Sequence, residues 1–181
     1  MKVVFLDIDG VINTNKSEKM PRSLLSFPGS VQVSLYSLDL VAIRNLNSIT
    51  DATGAKIVIS STWRVPFVRH YIFDNLIEYL KSFGVTGEIV GYTPTPDDYM
   101  NEVEEKELGD FYGEKRLCRG QEIGLYLLRN KDIESFVCLD DDETVGDVRQ
   151  TENHWVQTFW DGGITEGCAK KAINILSGGM V

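Results

Sequence analysis

The chain has 181 residues, 43% hydrophobic and 25% charged, with a net charge of −9. That length supports one domain with its own core, and no apolar run approaches the roughly 20 residues of a membrane span. The acidic balance argues against an extended nucleic-acid-binding face, which needs a basic surface, and leaves room for a local basic pocket.

In chain order, residues 3–7 read as a buried strand, Val3-Val4-Phe5-Leu6 running into Asp7. Residues 38–52 read as a helix, with Leu38, Val41, Ala42, Leu46 and Ile49 on one face. A strand over 56–60, a helix over 73–82 and a strand over 88–90 follow. Then come a helix over 119–130 with apolar Ile123, Leu127 and Leu128, strands over 135–140 and 155–159, and a closing helix over 167–177. Such alternation implies βαβ units: an α/β chain with a parallel central sheet and helices on both faces. Two stretches break it. Residues 13–37 form a flap-like insertion mixing Lys, Ser, Pro and Gly, and residues 92–115 form an acidic loop, with a helical turn over 103–108. Connections this long are lids, substrate loops or solvated excursions. The whole chain, 1–181, reads as one domain. No charged and apolar leader precedes the first strand, so the expected compartment is the cytoplasm.

The three cysteines, Cys118, Cys138 and Cys168, are odd in number and lack close pairs, which argues against a disulfide framework or zinc site. His70 and His154 have no metal-like partner at close spacing.

Four short segments carry chemistry. In Phe5-Leu6-Asp7-Ile8-Asp9-Gly10, a buried strand ends in two carboxylates spaced by two, and Gly10 allows a sharp turn. That spacing puts Asp7 and Asp9 on one face of a regular strand, at the carboxyl end where open α/β sheets form their sites. The bland alternative is a turn capped by Asp. A second apolar strand ends in Asp140-Asp141-Asp142-Glu143. Adjacent acids repel, and a divalent cation relieves them; hard carboxylate oxygens suit magnesium. A solvated helix N-terminus would also favour these acids. Third, Ile57-Val58-Ile59 is followed by Ser60-Ser61-Thr62-Trp63-Arg64. Hydroxyls and N–H groups there can hold phosphate oxygens or simply cap a helix. Trp63 could stack a base or pack in the core, and Arg64 could touch phosphate or pair with an acid. Fourth, Arg119, with Lys115 and Arg116 nearby, offers a fixed cation ahead of the second acid cluster.

The order acid pair, hydroxyl, cation, acid cluster resembles the haloacid dehalogenase (HAD) superfamily and its four motifs. Asp7-Ile8-Asp9-Gly10-Val11 matches the first, Ser60 the second, Arg119 or Lys115 the third, and Asp140-Asp141 the fourth. The phrases Ile59-Ser60-Ser61-Thr62-Trp63-Arg64, Arg119-Gly120-Gln121-Glu122-Ile123 and Asp161-Gly162-Gly163-Ile164-Thr165 resemble a branch, the HAD domains of RNA-repair (Swiss Army Knife) proteins. The resemblance implies a three-layer Rossmann-like HAD fold with a minimal cap. It implies Asp7 as nucleophile and Asp9 as acid and base, with Mg2+ on Asp7, Asp9 (through its carbonyl) and Asp140 or Asp141. Ser60 and Arg119 would position the phosphoryl group. Gly10, Ser61, Trp63, Arg64 and Lys115 would meet the substrate. The expected substrate is a nucleotide or phosphorylated nucleic-acid end. A small phosphorylated metabolite, or a non-catalytic phosphate- or magnesium-binding module, stays open.

Overall fold

The β-branched and aromatic runs become five strands of one sheet in the computed structural model, which describes residues 1–18, 23–26, 32–35, 37–64, 69–99, 109–111, 114–149 and 151–179. Strand β1 (Lys2–Leu6) is central. Helix α1 (Asn15–Glu18) and an antiparallel hairpin of β2 (Ser23–Ser26) and β3 (Gln32–Leu35) follow it. Next come α2 (Leu40–Thr53), β4 (Lys56–Ile59), α3 (Arg69–Ser82), β5 (Ile89–Tyr92) and the short α4 (Pro96–Tyr99). A second hairpin, β6 (Gly109–Phe111) with β7 (Glu114–Arg116), leads to α5 (Arg119–Arg129). Strands β8 (Ser135–Asp140) and β9 (Trp155–Gln157) precede α6 (Glu166–Leu176).

The sheet order is β5-β4-β1-β8-β9, and every pairing in it is parallel. From β1 the chain winds outward to β4 and β5, then crosses back to β8 on the other side. This reversal between β1 and β8 is a switch point, where a crevice opens at the carboxyl ends of the strands. Alternation along β1 sets the layers. Val4 and Leu6 pack with Ile57, Ile59, Val137 and Leu139 under α2, α3 and α6. Val3 and Phe5 pack with Val58 and Cys138 under α5, through Ile123. The result is the three-layer Rossmann-like arrangement expected of a HAD fold.

Helix α2 starts one residue past Asp39, whose carboxylate accepts from the Val41 and Ala42 N–H groups, a cap worth about 1 kcal/mol. The buried face of α2 is Ala42, Ile43, Leu46, Ile49 and Thr50. Val41, expected inside, is 50% exposed, because the 100° step per residue turns it away once Ala42 and Leu46 face the sheet. Leu128 of α5 is exposed for the same reason. Helix α3 begins a turn earlier than its apolar period indicated, and β9 ends two residues sooner. Both stretches outside the alternation contain hairpins that were not foreseen. Residues 103–108, expected to form a helical turn, lie outside the described residues. Among the described residues, no helix is long and apolar enough to cross a membrane.

Candidate active site

Asp7 is the first residue past β1, and its N–H donates to Leu139 O of β8 at 3.0 Å. The chain then folds sharply over residues 8–13, where Val11, Ile12 and Asn13 N–H groups all converge on Ile8 O. Gly10 has φ +71°, and a Cβ there would collide with the Asp141 carboxylate. The turn thus needs glycine twice, for its backbone and for the approach of β8's acids. The Gly10 N–H is taken by Asn13 O at 2.8 Å, so Gly10 shapes the turn.

Carboxylate oxygens of Asp7, Asp140 and Asp141 all lie within 4.8 Å of one another. Burial raises the Asp7 pKa to about 6; Arg119 and a hydrogen bond from the Ser61 hydroxyl oppose the rise, and Asp141 adds to it. Burial, then the nearby Asp7, pushes Asp140 well above the carboxylate range. Burial raises Asp141 as well, reinforced by Asp142 and Asp9. The Asp140 Oδ1 accepts from Asp142 N at 2.9 Å, whereas its Oδ2 is buried without a hydrogen bond among the described residues. Three crowded carboxylates, one holding an orphaned buried oxygen, are the donor set a hard divalent cation requires. These residues fit magnesium.

Arg119, at the start of α5, reaches into the cluster. Its Nε lies 3.5 Å from Asp140 Oδ2 and also lacks a hydrogen bond, while its Nη1 donates to Glu122 Oε2 at 3.1 Å. Burial lowers its proton affinity, and Asp7, Glu122 and Asp140 outweigh that and leave it raised, so it is a fixed cation. Lys115 lies in β7, and its side chain is outside what the structure describes.

The turn after β4 departs from expectation. Ser60 N–H donates to Leu6 O at 2.8 Å, and its hydroxyl accepts from Thr93 Oγ1 at 3.4 Å. The hydroxyl on Asp7 belongs to Ser61. Leu6 pairs with Ile59, so the strand register alone would set Ser60 beside Asp7; Ser61 reaches Asp7 because the chain leaves β4 there and turns. Thr62–Arg64 then form one turn of 3₁₀ helix. Arg64 is 5% exposed, and its guanidinium donates to Ser61 O, Thr93 O, Pro94 O and Glu122 Oε2 at 2.6, 2.9, 3.0 and 2.5 Å. Of the two fates considered for Arg64, this is pairing with an acid, not contact with phosphate. Trp63 is half-buried; its ring lies 6.3 Å from that of Tyr79, and its Nε1–H donates to Asp9 Oδ2 at 2.8 Å. Its indole N–H is engaged by Asp9 and its ring lies beside Tyr79. Asn13 Nδ2 donates to the other oxygen, Asp9 Oδ1, at 2.6 Å.

Asp7, Asp140, Asp141, Arg119 and Ser61 therefore converge, with Asp9 beside them between Trp63 and Asn13. The sequence reading passed over Asn13 and Glu122. Glu122 bridges Arg64 and Arg119 from within α5. Its i,i+3 spacing from Arg119 was a readable signal. Asn13 had none, since its contact exists only once residues 8–13 close on themselves.

A parallel sheet with an acid cluster at its switch point defines a protein of the haloacid dehalogenase class. The family model described as the HAD domain in Swiss Army Knife RNA repair proteins matches residues 3–169, and the chain belongs to that family, which supports a HAD-type phosphatase in general. Comparison with curated proteins gives no match, and neither does comparison with solved structures.

Proposed function

We propose that this chain is a magnesium-dependent phosphatase that hydrolyses a phosphomonoester through an aspartyl-phosphate, on a nucleotide or a phosphorylated nucleic-acid end. The carrying observation is the approach of Asp7, Asp140 and Asp141 within 4.8 Å, with Arg119 and Ser61 against the same Asp7 carboxylate. Asp7 attacks phosphorus; its O–P bond forms as the bond to the leaving oxygen breaks, and Asp9 gives that oxygen a proton. Asp9 then takes a proton from water as the water attacks phosphorus and the bond to Asp7 breaks. Trp63 and Asn13 hold the two Asp9 oxygens and fix the direction of both transfers. Arg119 and Ser61 position the phosphoryl group, a role the resemblance had given to Ser60. Magnesium, held by Asp7, Asp140 or Asp141 and the Asp9 carbonyl, would supply positive charge that lets an anionic nucleophile approach an anionic phosphate.

The molecule is expected to act as a single domain in the cytoplasm, and its charge of −9 favours recognition of an end over a long strand. The test is phosphate release, with and without magnesium, from mononucleotides, 5′- and 3′-phosphorylated RNA and DNA, and sugar phosphates. Magnesium-dependent release that disappears in Asp7→Asn supports the reading. Full activity in Asp7→Asn rejects the nucleophile. Preference for sugar phosphates reassigns the substrate to a small metabolite, and phosphate binding without release marks a non-catalytic module.

A further inference from the structure

Phe159 and Trp160 are adjacent in sequence and 63% and 38% exposed. They sit in the turn after β9, at the carboxyl end of the sheet. Scattered exposed apolar residues are ordinary. This pair differs in where it is and how it is held. Thr158 N–H donates to Asp140 O at 3.1 Å, so the aromatics begin one residue past the backbone of an acid in the site. The turn is bonded internally, Gly162 and Gly163 N–H donating to Phe159 O at 3.0 and 2.8 Å. It is also bonded to the nucleophile loop. Asn15 N–H donates to Trp160 O at 3.0 Å, Asn15 Nδ2 to Asp161 Oδ1 at 2.5 Å, and Ile164 N–H to Val11 O at 2.9 Å. Gly163, at φ +58°, lies so close to Val11 O that a Cβ would clash there. Asn15 is two residues beyond Asn13, the partner of Asp9. The exposed rings and the acids are therefore carried by one hydrogen-bonded unit, and no loop must be ordered to bring them together.

We infer that Phe159 and Trp160 form a stacking platform for a nucleobase joined to the scissile phosphate, which makes the substrate class base-bearing phosphomonoesters. This rests on the phosphatase reading above. With a net charge of −9, the chain has little long-range attraction for a polyanion. Uncharged rings bind any base by its face without it.

The full chain, with Phe159→Ala, Trp160→Ala and the double variant, is assayed on pairs that differ only in the base. One pair is a nucleoside monophosphate against ribose 5-phosphate. The other is a phosphorylated strand end with its terminal base against the same end made abasic. The two pairs separate free nucleotides from strand ends as the source of the base. The double variant is expected to reduce the base preference by about 5- to 100-fold, chiefly through KM. Independently, a nucleoside monophosphate should quench tryptophan fluorescence in the Asp7→Asn chain, and Trp160→Phe should remove that quench. A base preference unchanged in the double variant, or absent from the wild type, overturns the platform and leaves the phosphatase reading intact. No phosphate release, with a quench that depends on Trp160, overturns the phosphatase reading and supports the platform. If the variants dissolve a dimer while base preference persists, the rings bind a second copy of the chain and the inference is wrong.

Discussion

The carboxyl ends of β4 and of β8 are both polar and buried, and they are built on opposite terms. Past β4, Arg64 is bonded through all three nitrogens, to three carbonyls and Glu122. Past β8, bonding is incomplete: among the described residues, Asp140 Oδ2 and Arg119 Nε face each other at 3.5 Å without a hydrogen bond, and three carboxylates crowd together. A fully bonded network holds a fold in one arrangement, whereas crowded carboxylates of like charge are relieved when a cation arrives. Glu122 joins the two regions, gripping Arg64 on one side and Arg119 on the other.

If that contrast is right, substitutions in the acid cluster remove activity while sparing the fold, and loss of the Arg64–Glu122 pair lowers stability first. The largest effect is expected from Asp7→Asn, which should lower phosphate release by about 10^4-fold or more, with an unchanged circular dichroism spectrum. A thermal unfolding midpoint that collapsed in this variant would erase the distinction between the regions. Next is Glu122→Ala, which strands Arg64 and part of Arg119 without a counter-charge. Chemical denaturation should show a loss of about 3–5 kcal/mol. Third, magnesium at 100 times its dissociation constant should stabilise the wild type by about 2.7 kcal/mol, read as a melting shift. Asp140→Asn should lose that shift and be no less stable than the metal-free wild type, because it relieves a crowded buried acid.

A smaller change sharpens the role of Trp63. Trp63→Phe keeps a ring against Tyr79 and deletes the donor to Asp9. Rates on poor leaving groups should fall about 10- to 100-fold, part of what a positioned general acid supplies, with much less loss on an activated aryl phosphate. Equal losses on both would make Trp63 a packing residue only. A further effect is in pH. Asp7 is raised from 3.8 to about 6 in the metal-free fold, so between about pH 4 and 6 the folded state binds more protons than the unfolded chain. Its contribution is therefore fully present at acid pH and lost as pH rises through 6, with a slope of at most about 1.4 kcal/mol per pH unit. Melting curves without metal should show this trend, and Asp7→Asn should flatten it.

The acid pair at the end of Val3-Val4-Phe5-Leu6 and the acids after Phe136-Val137-Cys138-Leu139 were legible because both signals are local. An apolar strand followed by carboxylates needs no partner to be recognised. The identity of the hydroxyl was not, because Ser60 and Ser61 are chemically alike and only the turn that follows β4 brings Ser61 to Asp7. Arg64 and Trp63 were each left with two fates. Their choice depended on carbonyls at Thr93 and Pro94, on Glu122 from a distant helix, and on a loop closing around Asp9.

The amino-acid sequence by itself determined the alternation of strands and helices, the family, and which segments bring carboxylates to strand ends, since periodicity and local composition act over a few residues. Only the tertiary structure decided which donors are engaged and by which acceptors, because hydrogen bonds between residues 29 to 58 apart exist only after the sheet has set their separation.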